Sequence, residues 1–225
     1  MMKYLKYVLT LMLIALAAGQ TIHAKDNPDD YKVVLTLHDG TVVNGYLSGG
    51  IMGDKIKVSE TFKGKTQKYK TADIESLVFP ATEKDDSEVV FTPMMVHDPC
   101  EIVGRNPKSP RLLMKIYETD KMIGYVSPAE DFTFTPTLHT MWGTMKYYYY
   151  IKGEKRAHAY WKIIINSKVI GLRKMLKGRL DRFPLVKEYL DHGNFDSKEF
   201  FDHPEVLMPV INEAIESGNY DAEKN

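Results

Sequence analysis

The chain has 225 residues, with 30 Lys or Arg against 30 Asp or Glu and a formal charge of zero. That balance argues against nucleic acid as the main partner, since such binding rests on neutralised phosphates. Cys100 is the only cysteine, which excludes an intramolecular disulfide and leaves a thiol expected to be buried or merely tolerated.

Residues 1–24 read as a secretory signal peptide. Lys3 and Lys6 give a positive start, Tyr7 to Ala18 is apolar, and Ala17, Ala18, Gly19 and Ala24 form a small-residue exit. The apolar run is too short to span a bilayer. Cleavage after Ala24 removes two lysines and no acid, so 28 basic residues face 30 acidic ones and the mature charge is −2. No second long apolar stretch follows, so the mature chain is expected to lack a transmembrane span. Its length allows one large domain or two small ones.

The stretch "YKVVLTLHDGTVVNGYLSGG" (31–50) predicts a hairpin turning at Asp39-Gly40. A three-residue loop over 39–41 sets Leu37 against Val43 and Leu35 against Gly45, which gathers the apolar residues on one face. Short strands follow at 55–59, 65–70 and 74–79, so residues 25–79 are expected to form a small five-stranded barrel-like module. Residues 31–79 resemble small barrels of the Sm-like type through "LTLHDGTVVNGYL". The Arg-Gly pair of RNA-binding Sm proteins is absent, because "TADIESLVF" stands before the last strand. The resemblance therefore implies a fold and not RNA binding.

"PATEKDDSE" (80–88) is polar and charged and reads as a linker. Residues 89–166 read as a second, antiparallel β region, with strands at 89–96, 111–119 and 121–127 kept short by Pro93, Pro99, Pro107, Pro110 and Pro128. A loop is expected over 128–143.

"TMKYYYYIKGEKRAHAYWKII" (144–164) predicts a hairpin around Gly153-Glu154-Lys155. In the register that burial selects, Tyr148 faces Tyr160 and Tyr150 faces His158. Met145, Tyr147, Tyr149 and Ile151 then share an apolar face with Ala157, Ala159, Trp161 and Ile163. The other face carries Tyr148, Tyr150, His158 and Tyr160, flanked by cations. Two readings of that face stand. A C-terminal helix covers it, as a sheet followed by helices requires. Or it is an open binding surface, with rings that stack on a glycan or peptide.

Residues 167–225 read as helical. Leu172, Met175, Leu176 and Leu180 make one stripe, with Ser167 as its cap, and Pro184 opens a second helix that His192-Gly193 ends. Asp196 with Glu199 and Asp202 with Glu205 have capping-box spacing. The stripe Val206, Leu207, Val210, Ile211, Ala214, Ile215 stops at Gly218, and Pro209 inside it predicts a kink or a restart.

In order, the signal peptide, "DGTVVNGYL", "KYKTADIESLVF", "RLLMKIYE", "YYYYIKGE" and "FPLVKEYL" resemble a group of exported proteins of unknown function common in Bacteroidota. That resemblance implies export and brings no catalytic residues. The chain has no Gly-x-Ser-x-Gly elbow, phosphate-cradling glycine loop or His-Glu-x-x-His helix. The expectation is an α+β, periplasmic or extracellular binding or interaction protein without cofactor, metal or catalytic residues, taking an envelope protein, glycan or peptide. Its binding residues are Tyr148, Tyr150, His158 and Tyr160. The alternative is a hydrolase with a site assembled from distant residues.

Overall fold

Period-two alternation builds the sheet and three-to-four spacing builds the helices. The computed structural model describes residues 27–51, 53–82, 88–98, 107–128, 145–162, 171–192 and 195–224. The segment expected to be a signal peptide, Cys100, most of the loop expected over 128–143, and Ser167 lie outside them. The strands are β1 (Lys32–Leu37), β2 (Val42–Leu47), β3 (Lys55–Ser59), β4 (Thr66–Lys70), β5 (Ile74–Phe79), β6 (Val89–Met94), β7 (Val96–His97), β8 (Arg111–Glu118), β9 (Met122–Pro128), β10 (Met145–Ile151) and β11 (Ala157–Lys162). Four helices follow: α1 (Leu172–Arg179), α2 (Pro184–Asp191), α3 (Ser197–Asp202) and α4 (Met208–Glu216).

The chain is α+β, but its strands are not divided as expected. All eleven form one sheet in the order β4-β3-β2-β1-β5-β6-β8-β9-β10-β11-β7. The first five strands do not make a separate barrel, nor the rest a second sheet, because β5 pairs directly with β6 through Phe79↔Val89, Val78↔Val90 and Leu77↔Phe91. Residues 80–88 therefore connect neighbouring strands of one sheet. The apolar face of β1, β2, β3 and β5 shares one core with Phe91 of β6 and Leu112 of β8. A core that crosses the β5–β6 boundary is the physical reason the sheet runs on.

The first hairpin buries the expected face in a register two residues away. Leu35 pairs with Val43 and Val33 with Gly45. A two-residue slip leaves the same side chains inward, so burial cannot choose between these registers. Turn chemistry chooses. The Asp39 carboxylate accepts from the Thr41 N–H at 2.8 Å, the Leu37 N–H donates to the Thr41 carbonyl at 2.9 Å, and Gly40 takes φ 84°.

The C-terminal half of the sheet closes on itself. β6 and β7 are halves of one extended run broken at Met95. The first half pairs with β8, the second pairs parallel with β11, and the Ala157 N–H donates to the Met95 carbonyl at 2.9 Å. β8, β9, β10 and β11 are paired in series, which completes the circuit. Val96, Leu113, Tyr125, Tyr148, Ala157 and Ala159 pack together on its inner side. Pro93 fits this arrangement because it lies beyond Phe91, where the β5 ladder has already stopped.

The helices cover the outer side of β9, β10 and β11. Leu176, Leu180, Phe183, Val186, Phe200 and Ile211 join Tyr147, Tyr149, Tyr160 and Trp161 in one core. Gly124 lets α4 approach: a Cβ there would stand 2.2 Å from the Met208 sulfur and 2.9 Å from the Tyr117 Cβ. Pro184 opens α2, and the Asp196 carboxylate caps α3 through the N–H groups of Lys198 and Glu199. Pro209 marks a restart, since a 3-10 turn over Pro204–Leu207 precedes α4 and places this proline in its first turn. Asp202 caps nothing; His203 occupies the cap position of that turn.

Candidate functional site

The tyrosine hairpin starts in the expected register and then leaves it. Lys146↔Lys162 and Tyr147↔Trp161 pair as predicted, but Tyr148 pairs with Ala159 and Tyr149 with His158. Tyr160 is the extra residue of a β-bulge. A bulge offers two residues where the partner strand offers one, and it turns side chains away from strict alternation. Tyr160 accordingly packs beside Trp161 under the helices, and its hydroxyl donates to the Pro204 carbonyl at 3.1 Å. Without the bulge its ring would point into the strand circuit, where Tyr125 and Tyr148 already fill the space and only alanines stand on β11.

The four expected binding residues therefore do not form one surface. Tyr148 is buried inside the circuit, where its hydroxyl accepts from the Ser127 Oγ at 3.4 Å, and half-buried Tyr150 lies at the margin of the same cluster. His158 and Tyr160 are buried on the opposite, helix-covered side. Tyr148, Tyr150, His158 and Tyr160 share no open face. The side expected to be apolar, with Tyr147 and Tyr149, is the one the helices cover.

A different site opens where β7, β10 and β11 meet the turn between α1 and α2 and the C-terminal residues. This cleft has a volume of about 330 Å³ and is lined by His97, Tyr149, His158, Arg179, Asp181 and Lys224, among others. The Tyr149 and His158 rings stack at 5.2 Å with 15° between their planes, and His97 tilts against His158 at 5.6 Å. The parallel β7–β11 pair sets His97 beside His158.

Glu154 organises the wall behind these rings. Its carboxylate accepts from Arg182 Nη2 at 2.6 Å and Nη1 at 3.4 Å, and lies 3.2 Å from His158 Nε2. Burial works to raise the Glu154 carboxyl, but hydrogen bonds from His158 and Arg182 outweigh it and hold the group below its ordinary value. For Arg182, burial opposes the charge and the Glu154 contact restores it, for a net upward shift. The Arg182 guanidinium also lies over the Phe183 and Tyr220 rings at 5.5 and 5.4 Å. Burial pushes the Tyr149 hydroxyl up to about 12, with Arg182 acting against the shift, so Tyr149 presents a neutral ring and hydroxyl.

The cleft is thus lined by a tyrosine and two histidine rings beside two arginines and a lysine, with Asp181 and Glu223 also in the lining and Asp181 3.6 Å from the Lys224 ammonium. It could also hold and orient an imidazole, since a carboxylate sits against His158. Among the described residues no group of His, Cys, Asp or Glu could hold a metal ion, and no helix is long and apolar enough to cross a membrane.

Sequence reasoning found His158 and missed His97, Glu154 and Arg182. The sequence marks Glu154 as a turn residue, four positions before His158 in a tight hairpin. Nothing local joins His97, Arg182 and Lys224, which come from three separate parts of the chain. The chain matches no protein-family model, no curated protein and no solved structure.

Proposed function

We propose that this protein is an exported, non-catalytic binding protein of the bacterial envelope, and that its ligand site is the cleft lined by His97, Tyr149, His158 and Arg179. The charged, apolar and small-residue order of residues 1–24 supports export, as does the resemblance to exported Bacteroidota proteins. One observation carries the binding reading: the stacked Tyr149–His158 pair stands beside Arg179, Arg182 and Lys224 in a single cleft. Flat rings take the face of a sugar or an aromatic side chain, and neighbouring cations take a carboxylate. The ligand class is a carboxylate-bearing glycan or a peptide end.

Titration calorimetry of the mature chain against acidic oligosaccharides and short peptides with free C-termini tests this. At least one probe class binds, and Arg179→Ala with Lys224→Ala weakens it about tenfold, the effect of losing roughly 1.4 kcal/mol. Absence of heat with both classes defeats the reading. The Glu154–His158 contact favours a second reading, hydrolysis with His158 as an oriented general base. Turnover of a bound probe that disappears in His158→Ala would establish it in place of simple binding.

A further inference from the structure

At the other end of the strand order from the cleft, the β3–β4 hairpin carries an unusual charge pattern. Residues 55–70 hold Lys55, Lys57, Lys63, Lys65, Lys68 and Lys70 against one acid, Glu60, in a chain whose overall charge is zero. The strand register puts Lys55 directly opposite Lys70 and Lys57 directly opposite Lys68. All four are exposed, on the face away from the buried Ile56 and Val58. Their spacing follows from sheet geometry: about 5 Å across the strands and about 7 Å along them. None of these four lysines takes part in an ion pair among the described residues.

Like charges placed directly opposite each other destabilise a sheet. Charges on an edge strand are a known defence against strand-to-strand aggregation, and β4 is an edge. That defence needs lysines on β4 only. Lys55 and Lys57 stand on β3, an inner strand, so edge protection leaves half of the array unexplained.

We propose that this face docks on an anionic bilayer surface. The array is flat and consists of lysines. Ammonium groups on long stems suit a plane of many phosphates better than one defined anion, which favours the arginine fork. Beside it, Tyr31, Tyr46 and Phe62 form a small aromatic cluster, with Phe62 at 5.5 Å from Tyr31 and 5.8 Å from Tyr46. Aromatic rings next to cations are what the headgroup layer accommodates. The surface is separate from the cleft, and the inference does not depend on what the cleft binds.

The test is co-sedimentation of the mature chain with vesicles of phosphatidylglycerol and phosphatidylcholine in equal parts, and with phosphatidylcholine alone. The informative variant is Lys55→Glu with Lys57→Glu. It turns both like-charge pairs into opposite-charge pairs, so the fold is kept or stabilised while the face loses its positive field. The wild-type chain binds the anionic vesicles and not the neutral ones. Binding falls steeply between about 0.05 and about 0.5 M salt, as screening demands. The double variant binds at least tenfold more weakly with an equal or higher Tm, whereas Lys174→Glu with Lys187→Glu stays within about threefold of wild type. Persistence of binding in millimolar inorganic phosphate marks a headgroup plane rather than a site for free phosphate. Equal binding to neutral vesicles, undiminished binding by the double variant, displacement by inorganic phosphate, or binding to a soluble polyanion without any binding to vesicles would each overturn the proposal.

Discussion

Tyr148 and Tyr149 are adjacent, both 2 % exposed, and differ in almost everything else. Tyr148 points into the strand circuit, among Val96, Leu113, Tyr125 and two alanines, with its hydroxyl on Ser127. Tyr149 points under the helices, stacks on His158, meets Phe183 edge-on at 5.2 Å, and lines the cleft. One strand thus serves an interior that β-strands seal by pairing and an exterior that helices seal by packing. The difference teaches that burial and availability to a ligand are separate properties. Two tyrosines of equal exposure divide into one packed inside the strand circuit and one that lines the cleft.

The largest expected effect breaks the outer seal. Removing everything after Lys162 strips Leu176, Phe183, Phe200, Met208 and their neighbours from the core they share with Tyr147, Tyr149 and Trp161. That fragment should aggregate or lack a cooperative transition in calorimetry, because the apolar stripes of the sheet and helices have only each other to cover them. A soluble fragment with a sharp melt would show that the helices are accessory.

Single truncations then compare the two sides. Tyr148→Ala inside and Tyr160→Ala outside should each cost about 3–5 kcal/mol in chemical denaturation, from lost transfer energy plus the cavity left. Half-buried Tyr150→Ala should cost roughly 1–2 kcal/mol, in the ordinary range for a partly exposed side chain. A small effect at Tyr148 would mean that the circuit is open.

The inner side has a charged feature that sharpens the contrast. Lys146 and Asp98 form a 2.6 Å ion pair with side chains only 4 % and 6 % exposed. Asp98→Ala alone should cost about 3–5 kcal/mol, since it removes the carboxylate 2.6 Å from a buried lysine. Asp98→Leu combined with Lys146→Met should recover most of that loss, because both members of this ion pair are then removed together. Equal losses in the single and double variants would show that the pair contributes net stability.

A smaller effect appears in acid on the outer side. The Glu154 carboxyl is held below its ordinary value. A depressed acid contributes stability that is fully present above its unfolded pKa, about 4.3, and is lost as pH falls through the lower folded value. The Tm gap between wild type and Glu154→Gln should therefore be constant near neutrality and close below about pH 4. A gap that widens in acid would contradict the assignment.

Much of this fold was legible. The alternating runs located β3 and β5 to the residue, Pro184 opened α2, and Pro209 marked a restart. What escaped was what pairing alone decides. No pattern in "VVFTPMMVH" announces that its two halves serve different neighbours, and strict alternation gives no sign of the bulge at Tyr160. That bulge moved Tyr160 to the helix side and scattered the expected site. The neutral overall charge likewise concealed a basic hairpin, because composition averages over surfaces that structure keeps apart.

The most direct test of the central claim is NMR of the histidine rings in the full chain, with an acidic oligosaccharide or peptide added. The cleft account predicts that the His97 and His158 signals move together and saturate, while the exposed His38, His192 and His203 stay in place. Saturable shifts confined to those exposed rings, or ligand binding that leaves His97 and His158 unmoved, would place the ligand elsewhere and contradict it.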